Sequence, residues 1–479
     1  MAASSPQSWF SATKVQLSTA DTPGYTHVQG LTSESAEVTS NLLTANHDLY
    51  HTRWKQTFHN HTVHHLLALW ALGASPDEIK DMWEYNKPYQ SSIAQATVPQ
   101  DPQLKDPKVF DDCLGKNEHY SDFLRFFEGE IAEHGVPSVL REYLLKGDER
   151  ADDIFGRMYT DLVHPIIHLG CGIEFHQPSL VAEALAGACV HENWPKHFLL
   201  AAEENVRTND GLKSTTLLDM LDQLRSDPVI SAGVKSTDPF NKIPDGLLKR
   251  ITPEQWAPYL GQFQVKPTDE DLQAKMTEMM QTCAYMMGAA QKPGKRVAMD
   301  FVLLHAVTLM VFYPAILAQD WLTNEDKARL LEAKARVDAV MYAGCGCPPL
   351  YPERILEYQP RHPQHGWPEL FHRSIVYRDE GHAAKLIRAL FSLESLGETR
   401  PGFPIAKSDF ITIAHMSMDS IEVAFEPGGN KITEDMAKGV LERVGFGGDM
   451  VVDNMTRWVF YGGLDNAWDF VPEVGAPAS

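Results

Sequence analysis

"FHNHTVHHLLALWALGASPDE", residues 58–78, chooses between two architectures. Read with a period of two, His59 and His61 share a face, as in the strand-end HxH pair of a barrel metallohydrolase. Read with a period of 3.6 they diverge, and His61 aligns instead with His65, one turn on. From Thr62 to Leu72 the run is almost wholly apolar, and Gly73 stands where a helix ends. Ser75-Pro76-Asp77-Glu78 then supplies an N-cap, a first-turn proline and the acid of a capping box. The helical reading follows.

The same punctuation recurs. "TPEQ" at 252–255 repeats it, and Thr268, Thr323 and Thr433 each precede acidic residues and an apolar periodic run. Alternating Val/Ile/Thr runs closed by Asn-Gly turns are scarce. The expected fold is therefore all-α, mainly helical: one large fold with a metal site between buried helices and long Pro-rich connecting loops at 97–107, 227–246 and 347–370. Residues 1–40 are expected as an N-terminal extension, 41–465 as a single catalytic helical domain, and 466–479 as a C-terminal tail. "FVLLHAVTLMVFYPAILA", 301–318, approaches the length of a membrane span. It contains His305, Thr308 and Pro314 and is flanked by Asp300 and Asp320 rather than by basic anchors, so it reads as a helix buried in a protein core.

Acidic residues number 64 against 42 basic ones, a net charge of -22 that repels phosphate backbones and anionic membranes. Neither nucleic acid nor membrane is an expected partner. Six cysteines in 479 residues form neither a secreted disulfide framework nor a paired CxxC zinc site, and no signal peptide is apparent at the N-terminus. The expected location is cytoplasmic.

Twenty histidines are the unusual feature of the composition. His61 and His65 face together, as do His164 and His168 in "DLVHPIIHLGCGIEFH" (161–176), where Pro165 starts or kinks the helix. His305 stands alone in its apolar helix. In "YRDEGHAAKLIRALF" (377–391), His382 lies one turn from Lys385 on a core-facing side. A core gains nothing by collecting unpaired imidazoles, whereas a shared cation satisfies them jointly. Spacing leaves the ligand open among His61, His64 and His65 in the first block and between His164 and His168 in the second, with a neighbour one turn away as its support.

Lysine is the odd member, because an ammonium repels a metal. A neutral amine, however, adds carbon dioxide to give a carbamate, a carboxylate-like ligand on a long arm. In water about one lysine in a thousand is neutral at physiological pH. Burial beside a cation lowers the pKa by about three units and makes the neutral amine abundant.

The blocks "FHNHTVHHLLALWALGAS", "HPIIHLGCGIEFHQPSLVAEALA", "DFVLLHAVT" and "DEGHAAKLIRAL" together resemble the questin oxidase-like family, in particular its fungal anthraquinone ring-opening members, over about residues 40–460. The resemblance implies a mostly helical non-haem iron oxygenase of secondary metabolism. Its action would be to cleave a carbon-carbon bond in the central ring of an anthraquinone, giving a benzophenone. It implies Fe(II) held by His61, His164, His305, His382 and carboxylated Lys385, with dioxygen as co-substrate and a small aromatic polyketide as substrate, which an upstream reductase prepares in one version of the scheme. His65, His168 and Thr308, each one turn from such a ligand, are the expected proton-handling residues. Tyr50, Trp54, Trp83, Tyr89 and Phe175 are candidates to line a flat pocket. The competing expectations are a flavin-independent Baeyer-Villiger-type questin oxidase, a metallohydrolase with a carboxylated lysine, and a non-catalytic helical scaffold. A flavin enzyme is disfavoured, since neither "GCGIEF" nor "GCGCPP" supplies GxGxxG after a strand.

Overall fold

A computed structural model describes residues 10–54, 58–96, 100–434, 436–438 and 448–475. The fold is mainly helical, as expected. Among the described residues the only strands are a two-residue antiparallel pair, Arg53–Trp54 against Phe58–His59. Helix starts follow the local chemistry. Ser75 and Glu78 form a reciprocal capping box on the Pro76–Asn86 helix. Thr252 and Gln255 do the same at 253, and Thr268 accepts from the Asp271 amide. Gly73, at φ +88°, closes the Thr62–Ala71 helix.

The chain divides into two compact units. The first comprises residues 1–196, 312–326 and 375–388; the second comprises 197–311, 327–374 and 389–479. In the first, the Pro178–Val190 helix is buried along its whole length because the Tyr120–His134 and Thr160–Glu174 helices pack against it. Glycine permits that approach. A Cβ at Gly172 would lie 2.7 Å from Val181, and one at Gly170 would lie 2.4 Å from the Phe312 ring. The "GCG" at 170–172 is thus a helix-packing device. The segment expected as an N-terminal extension is tied into this unit. Gln16 and Gln177 exchange hydrogen bonds, and the Tyr25 and Thr26 amides donate to the buried Glu174 carboxylate, which also pairs with Arg388.

In the second unit the Asp269–Ala289 helix packs on Phe301–Met310 and Phe410–Val423. Lys334 and Asp338, both wholly buried, pair beside Cys283, and the Lys334 ammonium also donates to the Ala306 carbonyl at 3.0 Å. The 301–318 run is broken at Val311–Phe312 into helix Phe301–Met310, which belongs to this unit, and helix Tyr313–Leu317, which is opened by Pro314 and belongs to the first. Asp300 caps the first through the Val302 and Leu303 amides. Among the described residues no helix is long and apolar enough to cross a membrane, and all six cysteines are free and buried. Within the segment expected as a C-terminal tail, Trp468, Phe470 and Val471 are buried against Ala298 and Val459, because three large apolar side chains gain more from burial than a frayed end would keep. Residues 476–479 lie outside the described residues.

Candidate metal centre

The first unit gathers imidazoles from three places. His59 ends the short hairpin, and His61 begins the Thr62–Ala71 helix with its backbone already in the helical region (φ -84°, ψ -3°). The two therefore do not share a strand face, which removes the geometry of the HxH metallohydrolase. His64 and His65 occupy the helix's first turn, and both are buried.

The second contribution comes through strained backbone. Asp161, Leu162 and Val163 have φ of 49°, 53° and 60°, a left-handed turn that costs L-residues of order 1–3 kcal/mol each and is most unfavourable for a β-branched valine. The right-handed helix starts only after it, with Pro165 in its first turn, so the proline begins the helix rather than kinking it. The turn aims His164 Nδ1 at the Asp161 carbonyl, 2.6 Å away. That carbonyl fixes the proton on Nδ1 and leaves the lone pair on Nε2, the nitrogen that faces His61. His168 follows one turn later on the same side.

The third contribution is the segment 375–388. Asp379 accepts from the Gly381 amide at 2.6 Å and the Ala383 amide at 2.9 Å, anchoring the start of the His382–Phe391 helix. Gly381 has φ +92°, and a Cβ there would lie 2.5 Å from the Cβ and Cγ of His65. The glycine is what lets this helix start against the His61–His65 turn. Gly381→Ala is expected to destabilise the protein by about 2 kcal/mol or more through backbone strain and overpacking together. A denaturant midpoint equal to wild type would show that the contact is not tight.

These elements bring His61, His64, His164, His168 and His382 together. His61 Nε2 lies 2.8 Å from His164 Nε2, close to the roughly 3 Å that separates adjacent donors around an ion with 2.0–2.1 Å bonds. The ring centroid of His61 is 4.7 Å from that of His382 and 6.0 Å from that of His64, and His64 is 5.2 Å from His168. Neither nitrogen of His64 has a hydrogen-bond partner among the described residues, and neither does Lys385 Nζ. Burial, the Lys385 charge and neighbouring imidazoles hold His61 and His64 well below the usual histidine range. Burial, opposed by Asp379 and Glu380, brings Lys385 down to about 8, so that about one amine in five is neutral at physiological pH.

The supporting residues differ in kind. The Asn86 amide donates to the Met82 carbonyl at 2.8 Å and to His65 Nδ1 at 2.9 Å. His65, pushed by burial to about 3, is therefore a neutral imidazole presenting an Nε2–H, a donor rather than a base. His168 Nε2 lies 2.9 Å from Glu183. The other oxygen of Glu183 meets His47 Nδ1 at 2.7 Å, and His47 Nε2 meets Glu128 at 2.7 Å. Glu128, with a side chain 19% exposed, brings this chain of alternating base and acid to the surface.

His305 and Thr308 belong to the second unit. His305 Nδ1 bonds the Phe301 carbonyl at 2.7 Å, leaving Nε2 as its lone-pair nitrogen, and the Thr308 hydroxyl donates to the His305 carbonyl at 3.3 Å. Of the candidate pocket aromatics, Phe175 is wholly buried against Trp70 and beneath the Arg388 guanidinium, a core residue. Trp83 is nearly buried, with its ring 6.1 Å from that of Tyr50. The side chain of Trp54 lies outside the described residues. Sequence reasoning passed over Glu183, although a carboxylate in the otherwise apolar "SLVAEALAGACV" was a visible signal. His59 was visible only through its HxH spacing to His61, and His47, Asp161 and His191 carried none.

A helical protein with buried imidazoles around an unpaired lysine defines a class of candidate metalloenzyme. The questin oxidase-like family pattern matches residues 58–390. Over 96% of this chain and 94% of the relative, the sequence is 43% identical to the oxidoreductase AflY of Aspergillus parasiticus. It is 36% identical to the Baeyer-Villiger oxidase AgnL3 of Paecilomyces divaricatus, over 85% of the chain and 90% of the relative. It is 33% identical to a questin oxidase of Aspergillus fumigatus, over 91% and 94%. The chain belongs to the questin oxidase-like family. It is an oxidoreductase, and the scaffold expectation is set aside with that.

Proposed function

We propose that the chain is an iron-dependent oxygenase that opens the central ring of a hydroxyanthraquinone, with the ion held by His61, His164, His382 and a carboxylated Lys385. The observation that carries this reading is the state of Lys385: a buried amine with no hydrogen-bond partner among the described residues, set among imidazoles. An ammonium placed there repels any cation, and the charges of Asp379 and Glu380 offset its burial only in part. A carbamate on the same arm turns the mismatch into an anionic ligand. The open nitrogens of His64 and the lone pair that the Asp161 carbonyl leaves on His164 fit the same ion, and His64, one of the alternatives in its block, is taken as a donor alongside His61. Imidazole with one oxyanion suits a first-row transition metal. His305 comes from the resemblance alone, and the iron content of His305→Ala checks it.

Bound there, ferrous iron supplies dioxygen activation. The oxidase and Baeyer-Villiger names of the relatives support oxygen as co-substrate. Proton handling falls to the protein. His168, with Nε2 2.9 Å from the Glu183 carboxylate, is placed to take a phenolic or hydroquinone proton at Nδ1. His65, as an N–H donor, is suited to hold a carbonyl or phenolate oxygen of the substrate.

The Baeyer-Villiger relatives favour a second outcome of the same oxygenation, in which one oxygen atom enters between carbonyl and ring carbon. The test is anaerobically purified protein given a panel of hydroxyanthraquinones, and their dithionite-reduced hydroquinones, under 18O2. Two labelled atoms in a ring-opened product mark a dioxygenase, and one in a lactone marks the Baeyer-Villiger outcome. Undiminished turnover after chelator treatment sinks the metal-dependent reading.

A further inference from the structure

Behind His164 lies another set of donors. We propose that His59, Asp161 and His191 form a second binding site for a divalent first-row transition-metal ion, distinct from the site that contains Lys385. One ligand atom from each of the three lies within 4.8 Å of the others. His59 Nε2 is 2.8 Å from Asp161 Oδ2, and His191 Nδ1 is 4.0 Å from the same oxygen. Donors on opposite sides of an ion with bonds of 2.0–2.2 Å are about 4.0–4.4 Å apart. The 4.0 Å span from His191 Nδ1 to Asp161 Oδ2 thus fits an ion between them, with His59 Nε2, 2.8 Å from that oxygen, as an adjacent donor.

His191 points to a ligand independently of the cluster. It is wholly buried, and neither ring nitrogen has a hydrogen-bond partner among the described residues. A neutral imidazole left so is costly, and a cation at Asp161 removes the cost. Two imidazoles and one carboxylate are the donor set of iron, cobalt, zinc or manganese rather than of calcium or magnesium, which take oxygen. The ion has a way in, because the Asp161 side chain is 21% exposed. Glu192, with Oε2 3.8 Å from His191 Nδ1 and 3.9 Å from the Arg53 guanidinium, is placed to balance charge at the rim.

The two sites touch through His164. The His59 ring stacks on that of His164, centroids 4.1 Å apart, and on that of His191 at 4.9 Å. Asp161 offers its carboxylate to the second site while its carbonyl orients His164. The inference stands on the His59 cluster alone and does not need Lys385 to be carboxylated.

The full chain, stripped with a chelator and desalted, is titrated with Co2+ in the presence of bicarbonate, and bound metal is counted by mass spectrometry and by visible absorption. Wild type is expected to hold two equivalents. Asp161→Asn, chosen because asparagine tolerates left-handed backbone, and His191→Ala are each expected to hold one. His382→Ala is expected to lose the other equivalent and keep this one. Should His191→Ala fail to fold, Asp161→Asn decides. A wild type with a single equivalent, lost in Asp161→Asn but kept in His382→Ala, supports the second site and overturns the first. Asp161→Asn binding as much Co2+ as wild type, at the same affinity, overturns this proposal.

Discussion

Lys385→Met is expected to lose iron by at least about a hundredfold in affinity, more than the tenfold to hundredfold typical when a residue merely supporting a ligand is changed. Oxygenation should go with it, while the fold survives. Methionine keeps the volume and apolar stem of lysine, so the packing of the His382–Phe391 helix is preserved. What disappears is the only side chain there able to become an anion by taking up carbon dioxide. Stability gives an independent readout. Burial lowers the lysine to about 8, so folding penalises the charged form. That penalty is fully present below about pH 8, amounts to roughly 3 kcal/mol at most, and fades as pH rises towards 10.5. Metal-stripped Lys385→Met should therefore be more stable than stripped wild type at pH 7, and it should lack the wild-type rise above pH 8. In Lys385→Ala, added acetate or propionate should partly restore iron by filling the space with a carboxylate. Wild-type iron content in Lys385→Met would end the carbamate proposal.

The second large effect concerns Glu183→Gln, expected to cost about 3–5 kcal/mol because it leaves a buried imidazolium with half its counter-charge. Hydrogen bonds and charge from His168 and His47 outweigh burial and hold Glu183 at about 2. Glu128 and Glu183 outweigh burial at His47 and raise it to about 10. The signs set a window. The Glu183 contribution is present above its unfolded value near 4.5 and is lost as pH falls from there towards 2. The His47 contribution is complete below about 6.5 and is lost as pH rises through 10. Stability from this chain should thus peak between about pH 4.5 and 6.5. Urea midpoints at pH 3, 5.5 and 9 should trace that peak in wild type and a flatter profile in Glu183→Gln. A difference below about 1 kcal/mol at pH 5.5 would mean that the chain of His168, Glu183, His47 and Glu128 contributes little.

Local chemistry was legible residue by residue. Ser75 and Glu78, Thr252 and Gln255, Thr268 and Gly73 each mark a helix end through a bond or a backbone angle confined to one turn, and the sequence shows them without reference to anything distant. The i, i+4 pairs His61/His65 and His164/His168, and His382 beside Lys385, were visible for the same reason: helical periodicity relates residues a few positions apart.

What the sequence alone determined, then, is that this chain is mostly helical and carries imidazoles and a lysine on inward helix faces. Tertiary structure alone decided which imidazoles meet. No periodicity announces three consecutive left-handed residues at 161–163, since the surroundings have to hold that turn against its own strain. Nor does any local rule show that Gly381 makes room for His65, that Asn86 fixes His65 as a donor, or that His59, Asp161 and His191 converge. Such contacts join residues tens to hundreds of positions apart, and they are set by how helices pack rather than by how each one forms.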